Sequence, residues 1–115
     1  MTLFGNEVRT LRESLKITQR AVAEALGIGV PMYSRIERGE RIIRKEQICI
    51  IANTLGIDPQ NLIKLWLADQ VSSVISGEET VFNEVVDIAR QSMHKSSKKK
   101  DNKILEFKHN LNVTN

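Results

Sequence analysis

The 115-residue sequence predicts an all-α fold. Three observations lead there. Apolar residues recur at three- and four-residue spacings in one segment after another, as expected of helices that bury a single stripe. Polar capping residues open several of these segments and glycines close them, in keeping with the unpaired N–H and C=O groups at helix ends. Between Thr18 and Gly39, two short helical patterns are joined by a tight turn in which Gly27 and Gly29 bracket Ile28 and permit backbone angles that other residues resist.

Residues 3–15 read as the first helix, with Phe4, Val8, Leu11 and Leu15 as its stripe and Arg12 off it. Thr18 caps the second helix, whose apolar stripe is Ala21, Val22 and Leu26. Pro31 sits in the opening turn of the third, where its missing N–H costs nothing. There Tyr33 and Ile36 face one way, while Pro31, Ser34, Arg35 and Arg38 share the other face, and Gly39 ends the helix. Met32 is expected to be partly buried, with contact to a thymine methyl as the other reading. Residues 40–44 form a loop whose Arg41 and Arg44, with Lys45, place positive charge next to the third helix. Ile48, Ile51, Ala52 and Leu55 make the stripe of a fourth helix over residues 45–55, stopped by Gly56. Asp58 and Pro59 then open a fifth, which meets no stop before Gly77. Leu62, Leu65 and Trp66 complete the compact core, whereas Leu67, Val71, Val74 and Ile75 carry the stripe two turns further. A sixth helix is expected over 79–94, with Val81, Val85 and Ile88 on one face and Phe82, Val86, Ala89 and Met93 widening it.

Two helices, a short glycine turn and a polar outer face on the second helix make a helix-turn-helix. Residues from about Phe4 to Leu67 resemble the Xre/Cro-type domain of bacterial and phage repressors. The resemblance rests on L-R-x-x-L at Leu11–Leu15, T-Q-x-x-V-A at Thr18–Ala23, S-R-I-E-R-G at Ser34–Gly39 and L-G-I-D-P at Leu55–Pro59, in this order and at these spacings. It implies a five-helix lambda-repressor-like helix-turn-helix domain, here with an extended fifth helix and an added C-terminal helix. The expected organisation is a DNA-binding domain over 1–68, a helical extension over 69–94 and a basic, disordered tail over 95–115.

The resemblance also implies the site. The third helix would lie in the major groove of double-stranded DNA, with Val30, Pro31, Ser34 and Arg35 facing the bases. Arg35 can give two parallel hydrogen bonds to guanine O6 and N7, Ser34 can bond several bases, and Val30 and Pro31 offer only apolar contact. Family members often carry polar residues at these last two positions, so readout here falls largely on Arg35 or on DNA shape. Gln19, at the start of the second helix, corresponds to a phosphate ligand of the family. Thr18, Arg20, Arg38, Arg41, Arg44 and Lys45 are further phosphate candidates, with a solvated face as the plainer reading of each charged one. The family also implies a structural ion pair between Arg12 and Glu37.

Composition limits the alternatives. The net charge of +3 is unevenly spread: +3 over residues 1–67, −4 over 68–94 and +4 over 95–115. A basic body and a basic tail fit a polyanion better than an acidic substrate or a membrane. The tail lysines are candidates to follow adjacent phosphates, or merely keep the chain in solution. Cys49 is the single cysteine and lies in an apolar run, so it reads as a buried structural thiol with no disulfide or metal role. His94 and His109 are the only histidines, and no catalytic triad, paired-carboxylate cleft or phosphate-binding glycine loop is present. Neither an enzyme nor a cofactor or metal site is expected. No leader opens the chain and no apolar run nears the ~20 residues that span a bilayer, so a soluble cytoplasmic protein of bacterial or phage origin is expected.

The reading is therefore a dimeric, sequence-specific regulator that represses its own or a neighbouring operon. Leu67, Val71, Val74, Ile75, Val81, Phe82 and Val85 are the candidate dimer contacts; packing of the sixth helix on the fifth within one subunit is the alternative use of that stripe. Two other classes stay open. An antitoxin would hold a second protein through its C-terminal part and repress its own operon, and a pure interaction module would have lost DNA binding.

Overall fold

The computed structural model describes residues 2–95. Five α-helices come first: α1 (Leu3–Ser14), α2 (Gln19–Leu26), α3 (Val30–Glu37), α4 (Lys45–Leu55) and α5 (Pro59–Ile75). A 3-10 turn follows at Glu79–Val81, and α6 spans 82–95. No strand occurs among the described residues. The helices divide between two compact units, one ending at Val74 and one beginning at Ile75. The expectations for residues 96–115, namely a disordered tail, lysines along phosphates and a docking segment for a second protein, lie outside the described residues.

The first unit closes around Val8, Val22, Tyr33, Ile48, Ile51 and Leu62, all without appreciable solvent contact. α2 packs against both α3 and α4, and α1 packs against α3. α3 is thereby held from behind by two helices while its opposite face stays open. Leu55 and Ile63 complete the core, and Ile43 joins it from the loop after α3. That loop carries its two isoleucines in opposite senses: Ile43 is buried, whereas Ile42 is 93% exposed.

Local chemistry sets the helix ends. Thr18 Oγ1 accepts from the Ala21 N–H at 3.1 Å and opens α2. Gly27 closes that helix at φ 70°, in the left-handed region that a residue with a Cβ occupies at a cost. Gly29 differs from the expectation of unusual backbone angles. It is the N-cap of α3 at φ −76°, an ordinary extended conformation, so Gly27 alone makes the turn. Arg44 caps α4, and its N–H donates to Gln47 Oε1 at 2.9 Å. Asp58 Oδ1 accepts from the Gln60 N–H at 3.0 Å ahead of Pro59.

The start of α1 is tied by a local cap and by a long-range contact that local pattern does not reveal. Its free N–H groups are taken by two side chains: Gly5 N–H donates to Thr2 Oγ1 at 2.9 Å, and Leu3 and Phe4 N–H donate to the two carboxylate oxygens of Asp69 at 2.9 Å each. Asp69, which charge counting had grouped with the acidic stretch after the domain, thus caps α1 from α5. A negative group at a helix N-terminus meets both unpaired donors and the positive end of the helix dipole. Asp69→Ala should lower stability by about 1–2 kcal/mol. Thermal melting would show this, with Asp69→Asn expected to recover part of the loss. Gly5 is buried where α1 meets α3, and a Cβ there would overlap the carbonyl oxygen of Glu37.

Several sequence expectations are corrected. Leu15 is 48% exposed rather than buried, because α1 ends at Ser14 and the chain reverses at Lys16 with φ 57°. Ala21 is exposed and Ala23 takes its place in the core, so the buried face of α2 is rotated from the expected one. Cys49 is exposed rather than a buried thiol: Ile48 and Ile51 occupy the inner face, and Cys49 falls about 100° round the helix from Ile48. Met32, expected to be partly buried, is exposed, at 37% of its surface.

Past Trp66 the apolar stripe of α5 is open. Leu67, Val71 and Val74 are exposed and Ile75 is half-buried. In the second unit Val81, Phe82, Val85, Ile88 and Met93 are exposed as well, and Val86 is half-buried.

Candidate nucleic-acid interface

The site is built on a buried ion pair. Arg12 Nε and Nη2 donate to the two carboxylate oxygens of Glu37 at 3.1 and 2.9 Å, and Arg12 Nη1 donates to the Ile17 carbonyl at 3.1 Å. Glu37 is 2% exposed and Arg12 9%. The pair locks the last turn of α1 to the last turn of α3, and the Ile17 contact ties in the residue just ahead of α2. Burial is the largest single influence on the Glu37 carboxyl and would raise it, but hydrogen bonding from Arg12, the Arg12 charge and the effects of its other neighbours together outweigh burial and hold the group below the usual carboxylate range. Burial pushes the Tyr33 phenol far up, and the neighbouring Glu37 charge pushes it further, so it stays protonated. The Tyr33 hydroxyl is buried and has no hydrogen-bond partner among the described residues.

Gln19 joins this network from the first turn of α2. Its Nε2 lies 3.5 Å from Glu37 Oε1, and the residue is half-buried. Gln19, Arg12 and Glu37 line a cleft of about 220 Å³ together with Arg9, Glu13, Ser34 and Arg38. The cleft brings Gln19 of α2 to the same place as Ser34 of α3 and Arg38, the C-cap of α3. Thr18, Arg20, Arg41, Arg44 and Lys45 are exposed but do not line it.

The outer face of α3 carries the expected base readers in different degrees. Pro31 and Arg35 are exposed, and Ser34 is half-buried. Val30 is also half-buried and packs partly against the core, which leaves less of it for a ligand. Arg35 makes no ion pair or side-chain hydrogen bond among the described residues, so its guanidinium keeps its donors for a partner.

Arg38 differs from Arg35 in being paired. Its Nε and Nη2 donate to the two carboxylate oxygens of Glu40 at 3.2 Å each, and its Nη1 donates to Ser34 Oγ at 2.9 Å. Hydrogen bonding from Arg38 draws the exposed Glu40 carboxyl below its usual range, and the charge of Arg35 adds to the effect. Sequence reasoning missed Glu40, although a lone acid in a loop rich in arginine was a visible signal.

This geometry is that of two helices crossing over a shared brace, the second offering polar and cationic groups outward. The helix-turn-helix family model matches residues 8–62, from the middle of α1 to the first turn of α5. The chain carries a helix-turn-helix domain of the Xre and lambda-repressor type. Such a domain binds DNA, and it makes the chain a DNA-binding regulator in the general sense. Neither a curated protein nor a solved structure matches the chain. Among the described residues no helix is long and apolar enough to cross a membrane, and no group of three or more metal-ligating side chains is present.

Proposed function

We propose that the helix-turn-helix protein is a sequence-specific repressor of its own or a neighbouring operon, binding double-stranded DNA as a homodimer in the bacterial cytoplasm. The observation that carries this reading is α3. Its inner face is fixed by Tyr33, Ile36 and the Arg12–Glu37 brace, and its outer face presents Arg35, which is exposed and makes no ion pair or side-chain hydrogen bond among the described residues. A rigid helix with an uncommitted guanidinium suits the major groove, where arginine meets guanine through two parallel bonds. Pro31 and the exposed part of Val30 supply apolar contact beside it, and Ser34 a hydroxyl.

Gln19 and the N–H groups at the start of α2 would grip the DNA backbone, aided by Thr18, Arg20, Arg41, Arg44 and Lys45. These contacts set register and salt dependence rather than sequence preference. Dimerisation would use the exposed Leu67, Val71 and Val74 and the half-buried Ile75 of α5, with the exposed Val81, Phe82 and Val85 of the second unit. Apolar stripes on helices are rarely left in water, and a two-fold dimer is the common way to cover them.

Selection of binding sites from random duplexes tests the reading. A two-fold motif with half-sites ~10–11 base pairs apart is expected. Enrichment of a single half-site would remove the dimer from the proposal, and no enrichment would remove sequence-specific binding.

A further inference from the structure

We propose that Glu40 is a specificity-determining residue that acts through Arg38 and Ser34: it neutralises Arg38, and Arg38 in turn fixes the Ser34 hydroxyl as a hydrogen-bond donor toward the bases. The proposal rests on the reading of α3 as the DNA-facing helix and assigns roles within that face.

A serine hydroxyl is ordinarily ambivalent, with one proton to give and two lone pairs to receive. Ser34 is not free in this way. Arg38 Nη1 lies 2.9 Å from Ser34 Oγ, and a guanidinium has donors only, so Ser34 must accept in this contact. Its proton is turned away from Arg38, and the adjacent positive charge polarises it as a donor. The same charge disfavours the approach of an amino group. Ser34 is therefore biased toward acceptor atoms in the major groove: N7 of a purine, O6 of guanine or O4 of thymine. The amino groups of adenine and cytosine are disfavoured.

Arg38 is held in place by two hydrogen bonds to one carboxylate, Glu40 Oε1 and Oε2, both at 3.2 Å. This fork-to-fork pairing fixes the plane of the guanidinium as well as its position. It also offsets the arginine charge at the edge of the DNA-facing surface. Arg38, expected from the sequence among the phosphate ligands, is then a positioning residue for Ser34 and contributes little to backbone grip.

The test compares wild type with Glu40→Gln, Glu40→Asp, Arg38→Ala and Arg35→Ala on a selected duplex and on a scrambled one, over a range of salt. Melting temperatures are measured alongside, and the exposed Glu40 and Arg38 variants are expected to melt close to wild type. Glu40→Gln should bind the scrambled duplex several-fold more tightly, with a salt slope steeper by about one. Its preference for the selected duplex should fall by roughly ten-fold, mostly at the base pair that Ser34 faces. Glu40→Asp, which keeps the charge, should lie between wild type and Glu40→Gln. Arg38→Ala should lose the same base preference while leaving the salt slope unchanged. The proposal is overturned if Glu40→Gln matches wild type in slope and preference while Arg35→Ala loses specific binding. A salt slope flattened by about one in Arg38→Ala also overturns it, since Arg38 would then be gripping a phosphate. If wild type itself prefers neither duplex, the DNA-reading assignment fails and this proposal with it.

Discussion

Arg12→Met should remove roughly 3–5 kcal/mol of stability, the cost of stranding a buried carboxylate. Glu37 is 2% exposed and takes both of its short ion-pair hydrogen bonds from Arg12. Methionine fills much of the space and offers no donor. Gln19 Nε2, at 3.5 Å, is too distant to compensate. Total stabilities of small domains are about 5–15 kcal/mol, so the loss is a large share of the whole, and the melting temperature should fall by more than ~10 °C. Replacing both partners, as in Arg12→Met with Glu37→Leu, should recover most of it, because an apolar pair leaves no charge uncompensated.

The same pair gives the acid response a definite sign. The Glu37 carboxyl titrates lower in the fold than in the unfolded chain, where a glutamate has a pKa of about 4.3. Its stabilising contribution is complete above that unfolded value and is lost as pH falls through the lower, folded one. Wild type should therefore weaken at acid pH through this group. In Arg12→Met the balance reverses, since burial then raises the carboxyl without the opposing hydrogen bonds. The stability difference between the two proteins should shrink as pH falls from 7 toward 4. Urea denaturation at several pH values checks this, and a constant difference would contradict it.

Arg35→Ala should cut affinity for the specific site by about 10- to 100-fold, the worth of a bidentate arginine–guanine contact. Affinity for unrelated DNA should drop far less, because phosphate contacts dominate there. The stability change should stay within about 0.5 kcal/mol, since Arg35 is exposed and makes no internal pair among the described residues. Binding measured on both kinds of duplex, with a melting curve for each protein, separates lost recognition from lost folding. Equal losses on the two duplexes would make Arg35 a phosphate ligand instead of a base reader.

Much of the first unit was legible because its determinants are local. Thr18, Gly27, Pro31 and Gly56 mark helix ends through chemistry that acts over a few residues, and the stripe of α4 was read in the right register. Errors arose where the buried face depends on partners. A one-residue step turns a helix by about 100°, enough to carry Cys49 from the core to the surface, and Ala21 and Ala23, two residues apart, lie on nearly opposite sides of α2. Long-range contacts left no periodic trace. Asp69 caps α1 across 65 and 66 residues of sequence, and Gly5 is small because Glu37 passes beside it. The link between Arg12 and Glu37 came from the family resemblance; spacing alone would not pair residues 25 apart. In the site, the residue types on α3 were visible beforehand, but their engagements were not. Whether an arginine is occupied, like Arg38, or without a partner among the described residues, like Arg35, depends on the path of the loop that brings Glu40 back beside Arg38.

The most direct measurement of the central claim is footprinting on the DNA upstream of the protein's own gene, with wild type and Arg35→Ala titrated side by side at moderate salt. The account predicts a protected site of two-fold symmetry for wild type and no protection by Arg35→Ala at the same concentration. Protection spread evenly along the fragment, and unchanged by Arg35→Ala, would contradict sequence reading by α3.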